Sequence, residues 1–260
     1  MNNPSLRLLA AAAALASLHG LALAEDPPAS PFAFNVVVFS DYRYRGISQT
    51  RLKPAIQGGV DWSSPSGFYL GAWASSIKWV EDALGDSRLE LDLYGGYKGE
   101  ISKDFTYDVG LLQYVYAGAT NAKWNASYKD PNTTEAYGAL TFGPVTTKLS
   151  YALTNLFGNY GFGGNKKSSG SFYLDVSGAF DLGDGLMLAP HVGYQKVHNI
   201  SNASYTDYSL TLSKDFSGLA PSIAIVGTNA DKNFYVPGPA ANSTKFLGKS
   251  ALVLGLKYTF

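Results

Sequence analysis

From Phe34 to the last residue, non-polar and polar side chains alternate with a period of two. Strands give that period and helices do not. At the C-terminus, Leu252, Leu254, Leu256, Tyr258 and Phe260 share one face, and Ala251, Val253, Gly255, Lys257 and Thr259 the other. Beyond the N-terminus no apolar run is long enough for a membrane helix. If the chain enters a membrane it must do so as a closed barrel, because only helices and barrels satisfy every backbone group in lipid.

Twelve alternating segments are predicted as strands: Phe34–Tyr44, Ala55–Ser63, Gly67–Trp79, Arg88–Ile101, Phe105–Ala117, Thr133–Phe142, Val145–Asn155, Ser171–Asp181, Leu186–Val197, Tyr205–Phe216, Leu219–Thr228 and Ser250–Phe260. Most have the ~9–11 residues, or slightly more, that a tilted strand needs to cross a bilayer. Every second connection is a tight turn rich in Gly, Pro, Asp and Ser, such as Ser64-Pro65-Ser66 and Gly143-Pro144. The intervening connections, such as Gly118–Asn132 and Asn229–Lys249, are long. This predicts an all-β fold: a transmembrane antiparallel β-barrel of about 12 strands, with short periplasmic turns and longer extracellular loops.

Composition agrees. Only 15% of residues are charged, against roughly a quarter in soluble proteins, and there are 18 Tyr and 14 Phe. Met1–Ala24 reads as a secretory signal peptide: Arg7 supplies the positive start, Leu8–Leu18 the apolar run, and Ala22-Leu23-Ala24 the cleavage site. The expected division is 1–24 signal peptide, 25–33 periplasmic segment and 34–260 barrel, exported by the Sec route to a bacterial outer membrane. Cleavage removes only Arg7, leaving a formal charge of −1, without the basic excess of a nucleic-acid binder. With no cysteine, thiol catalysis and thiolate metal sites are excluded.

Parity places Asp41, Arg43, Asp61, Arg88, Glu90, Asp92, Lys98, Glu100, Asp108, Glu135, Lys148, Asp175 and Lys257 inward, with His191 and, by the same alternation, Arg45. Arg or Lys at the lipid midplane costs ~2–4 kcal/mol, so these charges belong in a wet lumen as pore-lining residues. Acids outnumber bases among them, a lean toward cations. Tyr258 and Phe260 form the terminal aromatic pattern expected of an assembly signal read by the barrel-assembly machinery.

The stretch Ser40-Asp41-Tyr42-Arg43-Tyr44-Arg45-Gly46-Ile47-Ser48-Gln49-Thr50, with Pro54–Gly59 and Gly67–Ser75 after it, resembles the TorF family of proteobacterial outer-membrane porins. The resemblance runs from about Phe34 to Phe260. It implies a barrel with pore activity and brings no catalytic site or substrate. Asp41, Arg43 and Arg45 lie at the outer end of the first strand. Two readings stand: a charged cluster at the pore mouth or an inward-folded loop, and an Arg–Asp lock between neighbouring strands. Tyr42 and Tyr44 are expected on the opposite face, in an external aromatic girdle.

No catalytic, cofactor or metal site is expected. His191 has no G-x-S-x-G elbow to serve, Glu90 and Asp92 read as lumen lining, and Gly158–Asn165 lacks the lysine of a phosphate loop. The expected function is passive diffusion of small hydrophilic solutes through a narrow charged lumen. The alternative is a plugged barrel acting through its extracellular loops, and a membrane-embedded hydrolase is the third, without a motif. Expected partners are outer-membrane lipid, the barrel-assembly machinery and small hydrophilic solutes.

Overall fold

The structure, a computed structural model, describes residues 30–83, 86–118, 130–159 and 166–260. The signal segment and most of the loop Gly118–Asn132 lie outside the described residues, as does most of the glycine-rich stretch. In chain order the strands are β1 (Phe32–Phe39), β2 (Arg43–Tyr44), β3 (Ile47–Ser48), β4 (Ala55–Ser63), β5 (Phe68–Ser76), β6 (Leu89–Ser102), β7 (Phe105–Val115) and β8 (Thr133–Phe142). They continue with β9 (Val145–Ala152), β10 (Phe172–Gly178), β11 (Phe180–Gly183), β12 (Leu186–Lys196), β13 (Tyr205–Lys214), β14 (Leu219–Thr228) and β15 (Ala251–Thr259).

All but β2 and β3 form one antiparallel sheet, each strand paired with its neighbours in sequence. β10 and β11 are two halves of one wall strand, both paired with β12. β1 pairs with β15, Asn35 opposite Thr259 and Phe39 opposite Gly255, which closes a twelve-stranded barrel. Closure joins the first and last strands, which removes the two long edges an open sheet would leave. The seam extends to the last residue: Phe260 and Phe34 exchange backbone hydrogen bonds at 3.0 and 3.1 Å, and their rings stack at 5.9 Å.

Alternation becomes two surfaces. Val36, Val38, Leu93, Leu111, Leu149, Leu210, Ile223 and Leu254 point out and are exposed. A belt of large apolar side chains on every wall strand is a surface built for lipid. The opposite set, including Glu90, Asp92, Asp108, Glu135, Lys148, Asp175 and Asp207, points in and is buried. The interior is not uniformly polar, however. Toward the loop end Trp73, Leu112, Tyr114 and Tyr116 also point inward and pack with Tyr42, Ile77 and Val80 in an apolar cluster.

One predicted strand is corrected. The first wall strand stops at Phe39 rather than running to Tyr44. The chain then turns into the barrel, and β2 and β3 pair only with each other. Tyr42 and Tyr44 therefore join the interior, not an outer girdle.

Candidate pore and its inward loop

Residues 40–54 form a hairpin folded into the loop end of the barrel. Its turn is Arg45-Gly46, with φ of 45° and 77°. Two successive positive-φ residues make the tight two-residue turn that suits a twisted hairpin. Gly46 is doubly required, because a Cβ there would run into Thr228 and Asp207 on the wall. Gly46→Ala is expected to cost about 1–2 kcal/mol from the left-handed backbone alone, read as a lower urea midpoint for the refolded protein.

Asp41 organises the base of the hairpin. Its carboxylate accepts from Arg43 Nε at 2.5 Å, Ser48 Oγ at 2.6 Å and Thr50 Oγ1 at 3.3 Å. Arg43 Nη1 lies 3.0 Å from the carbonyls of Gly46, Leu247 and Lys249. One arginine thus joins the hairpin to the loop before β15. On the other side the short helix α1 (Trp79–Asp82) holds it: Lys78 N–H donates to the Gln49 carbonyl at 2.8 Å, and Arg51 pairs with Asp82.

Arg45 reaches the far wall. Its Nη1 donates to Gln195 Oε1 at 2.6 Å, and its Nη2 to Glu135 at 2.8 and 3.1 Å. Its guanidinium lies 4.2 Å from the Tyr173 ring centroid. The hairpin springs from the β1–β4 junction, whereas Glu135 on β8 and Gln195 on β12 flank the opposite side of the strand ring. The contact therefore crosses the bore. Tyr44 strengthens it: its hydroxyl meets that of Tyr114 at 2.7 Å, and Tyr114 donates to Glu135 at 3.3 Å. Arg45 and Glu135 are 4% and 1% exposed in their side chains, so each depends on the other to offset its desolvation.

The inner wall carries further ionisable groups with polar or aromatic partners. His191 sits 2.5 Å from Asp175 and 3.7 Å from Asp207, and Tyr173 Oη reaches His191 at 3.0 Å and Asp207 at 3.1 Å. Gly193 leaves room for the Tyr173 ring, which a Cβ at that position would strike. Tyr69 donates to Asp108 at 2.5 Å, Lys98 lies 4.0 Å from the same carboxylate, and Lys148 stands 4.0 Å over the Tyr137 ring. Asp61 accepts from Tyr94 at 2.5 Å. Glu90 accepts from Tyr42 at 2.7 Å and Tyr116 at 2.8 Å, and Asp92 is buried two residues along. Lys257 lies on the inner face of β15, and Glu100 is exposed on the same face of β6 near its turn.

Arg88 is a correction to the expected inner set. It precedes β6, its side chain is largely exposed, and it pairs with Glu81 of α1 at 2.6 Å. The Lys78 and Arg88 hydrogen bonds hold the Glu81 carboxyl below its usual range. Asp207 and Gln195, both part of the inner network, were absent from the expected set. Both were reachable by carrying parity along Tyr205–Phe216 and Leu186–Val197.

A closed barrel with an apolar outer belt, a charged inner wall and an inward loop defines a porin-like transmembrane barrel. The chain belongs to the family described as "Bacterial protein of unknown function (Gcw_chp)", which matches residues 25–260. Among solved structures it is similar to the NanC porin, with TM-score 0.53 and 10% identity over 87% of this chain and 98% of that one. It is also similar to the KdgM porin, solved in complex with disordered oligogalacturonate, with TM-score 0.51 and 10% identity over 88% and 98%. At such identity the likeness concerns the fold. No curated protein matches the sequence.

Proposed function

We propose that the protein is an outer-membrane channel for small hydrophilic solutes, with its bore set by the hairpin of residues 40–54. The observation that carries this reading is the Arg45 contact with Glu135 and Gln195 across the lumen. Ion pairs around an inner wall offer a polar solute replacement partners for its water. Twelve strands enclose less than the sixteen to eighteen of wide porins, and the hairpin narrows the opening further. Acidic groups outnumber basic ones on the inner wall, and the loss of Arg88 and gain of Asp207 favour cations more.

In this reading the long loops face outward and the turns face the periplasm, after Sec export directed by Met1–Ala24. Tyr258 and Phe260 present the last strand to the assembly machinery. The resemblance of the first strand and loop to TorF porins agrees with it. Pore-lining roles fall to Asp41, Arg43, Arg45, Asp61, Glu90, Asp92, Lys98, Glu100, Asp108, Glu135, Lys148, Asp175, His191 and Lys257. The test is swelling of liposomes carrying refolded protein. Glycerol and a monosaccharide should enter with rates that fall with size, and a trisaccharide should be excluded. Lack of entry by any solute removes the channel reading.

A plugged barrel is the second reading. Arg43 favours it, because its bonds to three carbonyls fix the base of the hairpin. In that case Arg45→Ala leaves permeability unchanged.

A further inference from the structure

On the loop side of the hairpin is a cavity of about 170 Å³. That is close to the ~150 Å³ that holds one benzene ring. Its walls come from the hairpin, from α1 and the residue after it, from the 156–159 turn and from the 234–238 loop segment. Seven of its twenty described lining residues are aromatic, among them Tyr44, Trp79, Tyr116, Phe157, Phe234 and Tyr235. Glu90 is the one formal charge among the described lining residues, and no Lys or Arg is among them.

Gln49 and Asn159 each commit one amide hydrogen to a backbone carbonyl, and Gln195 commits both. Gln49 Nε2 donates to the Ile47 carbonyl at 2.9 Å, and Asn159 Nδ2 to the Leu156 carbonyl at 2.9 Å. Gln195 gives its oxygen to Arg45 and its nitrogen to the Phe172 carbonyl. An acidic sugar or phosphate finds no cation among the described lining residues. What remains are ring faces, which carry negative quadrupole potential, and the Glu90 carboxyl.

We infer that this cavity binds a small organic cation, an amine or quaternary ammonium group of about single-ring size. Aromatic rings attract such cations through their faces, most strongly where water is excluded. The inference does not rest on conduction, since binding is measured at equilibrium whether or not the barrel passes solute.

The probe is choline, with 3,3-dimethylbutan-1-ol as its uncharged analogue of matching shape and hydroxyl. Equilibrium dialysis of the refolded mature chain in detergent should show saturable choline binding at least tenfold tighter than the alcohol. Phe234→Leu, in the loop before β15, should weaken choline at least fivefold and leave the alcohol within twofold. Heat-modifiable gel mobility checks that the variant folds. If it does not, the wild-type comparison of the two probes decides the matter. Equal affinities, or no saturable choline binding, would overturn the inference.

Discussion

Arg45→Ala is expected to lower the stability of the refolded barrel by about 3–5 kcal/mol, the range for removing one partner of a buried ion pair. Alanine strands the Glu135 carboxylate, which is 1% exposed, and frees the Gln195 amide oxygen. It also removes a cation from the Tyr173 ring. Most of the penalty is the cost of an uncompensated buried charge rather than the worth of the pair. The double variant Arg45→Ala with Glu135→Leu should therefore recover more than half of the loss. The measurement is urea unfolding from lipid vesicles for the four members of the cycle. A single-variant loss below ~1 kcal/mol, the scale of an exposed pair, would mean that water reaches Glu135 freely and that the hairpin is not anchored on the far wall.

The second large effect concerns the outer surface. Ile223 lies mid-strand in β14, exposed, beside outward Leu212 and Leu254. Ile223→Arg should cost about 2–4 kcal/mol if that belt faces the bilayer midplane. Leu219→Arg at the turn end of the same strand and face should cost about 0–1 kcal/mol, because the side chain reaches the interface. The same cycle of unfolding measurements reads both. Equal and small costs would place this face in water. The contrast between the two positions separates lipid depth from any local packing effect.

The wall was legible in the sequence because its signal is local. A period of two needs only neighbouring residues, and the bounds of Ala55–Ser63, Thr133–Phe142 and Leu219–Thr228 follow from it without correction. The fate of the first loop was not legible to the same degree. Asp41, Tyr42, Arg43 and Tyr44 keep alternating after the wall strand has ended, so periodicity runs straight through the point where the chain leaves the wall. What turns it inward is a partner 90 residues away, Glu135, and a tip that fits against Thr228. Both readings of the charged motif contain part of the outcome. The loop does fold inward, and Asp41 and Arg43 do lock together, but within the hairpin rather than between wall strands. Arg88 failed for a related reason: its parity continues that of β6, but Glu81 of α1 holds it outside the wall. Strand parity says which way a side chain points only while the strand lasts.

The reach of Arg45 across the lumen is the claim on which the functional reading turns, and single-channel recording in planar bilayers tests it most directly. The wild-type barrel should show small conductance steps, and Arg45→Ala should raise the step size several-fold as the hairpin loses its anchor on the far wall. Identical steps in the two proteins, or silence in both, would contradict it.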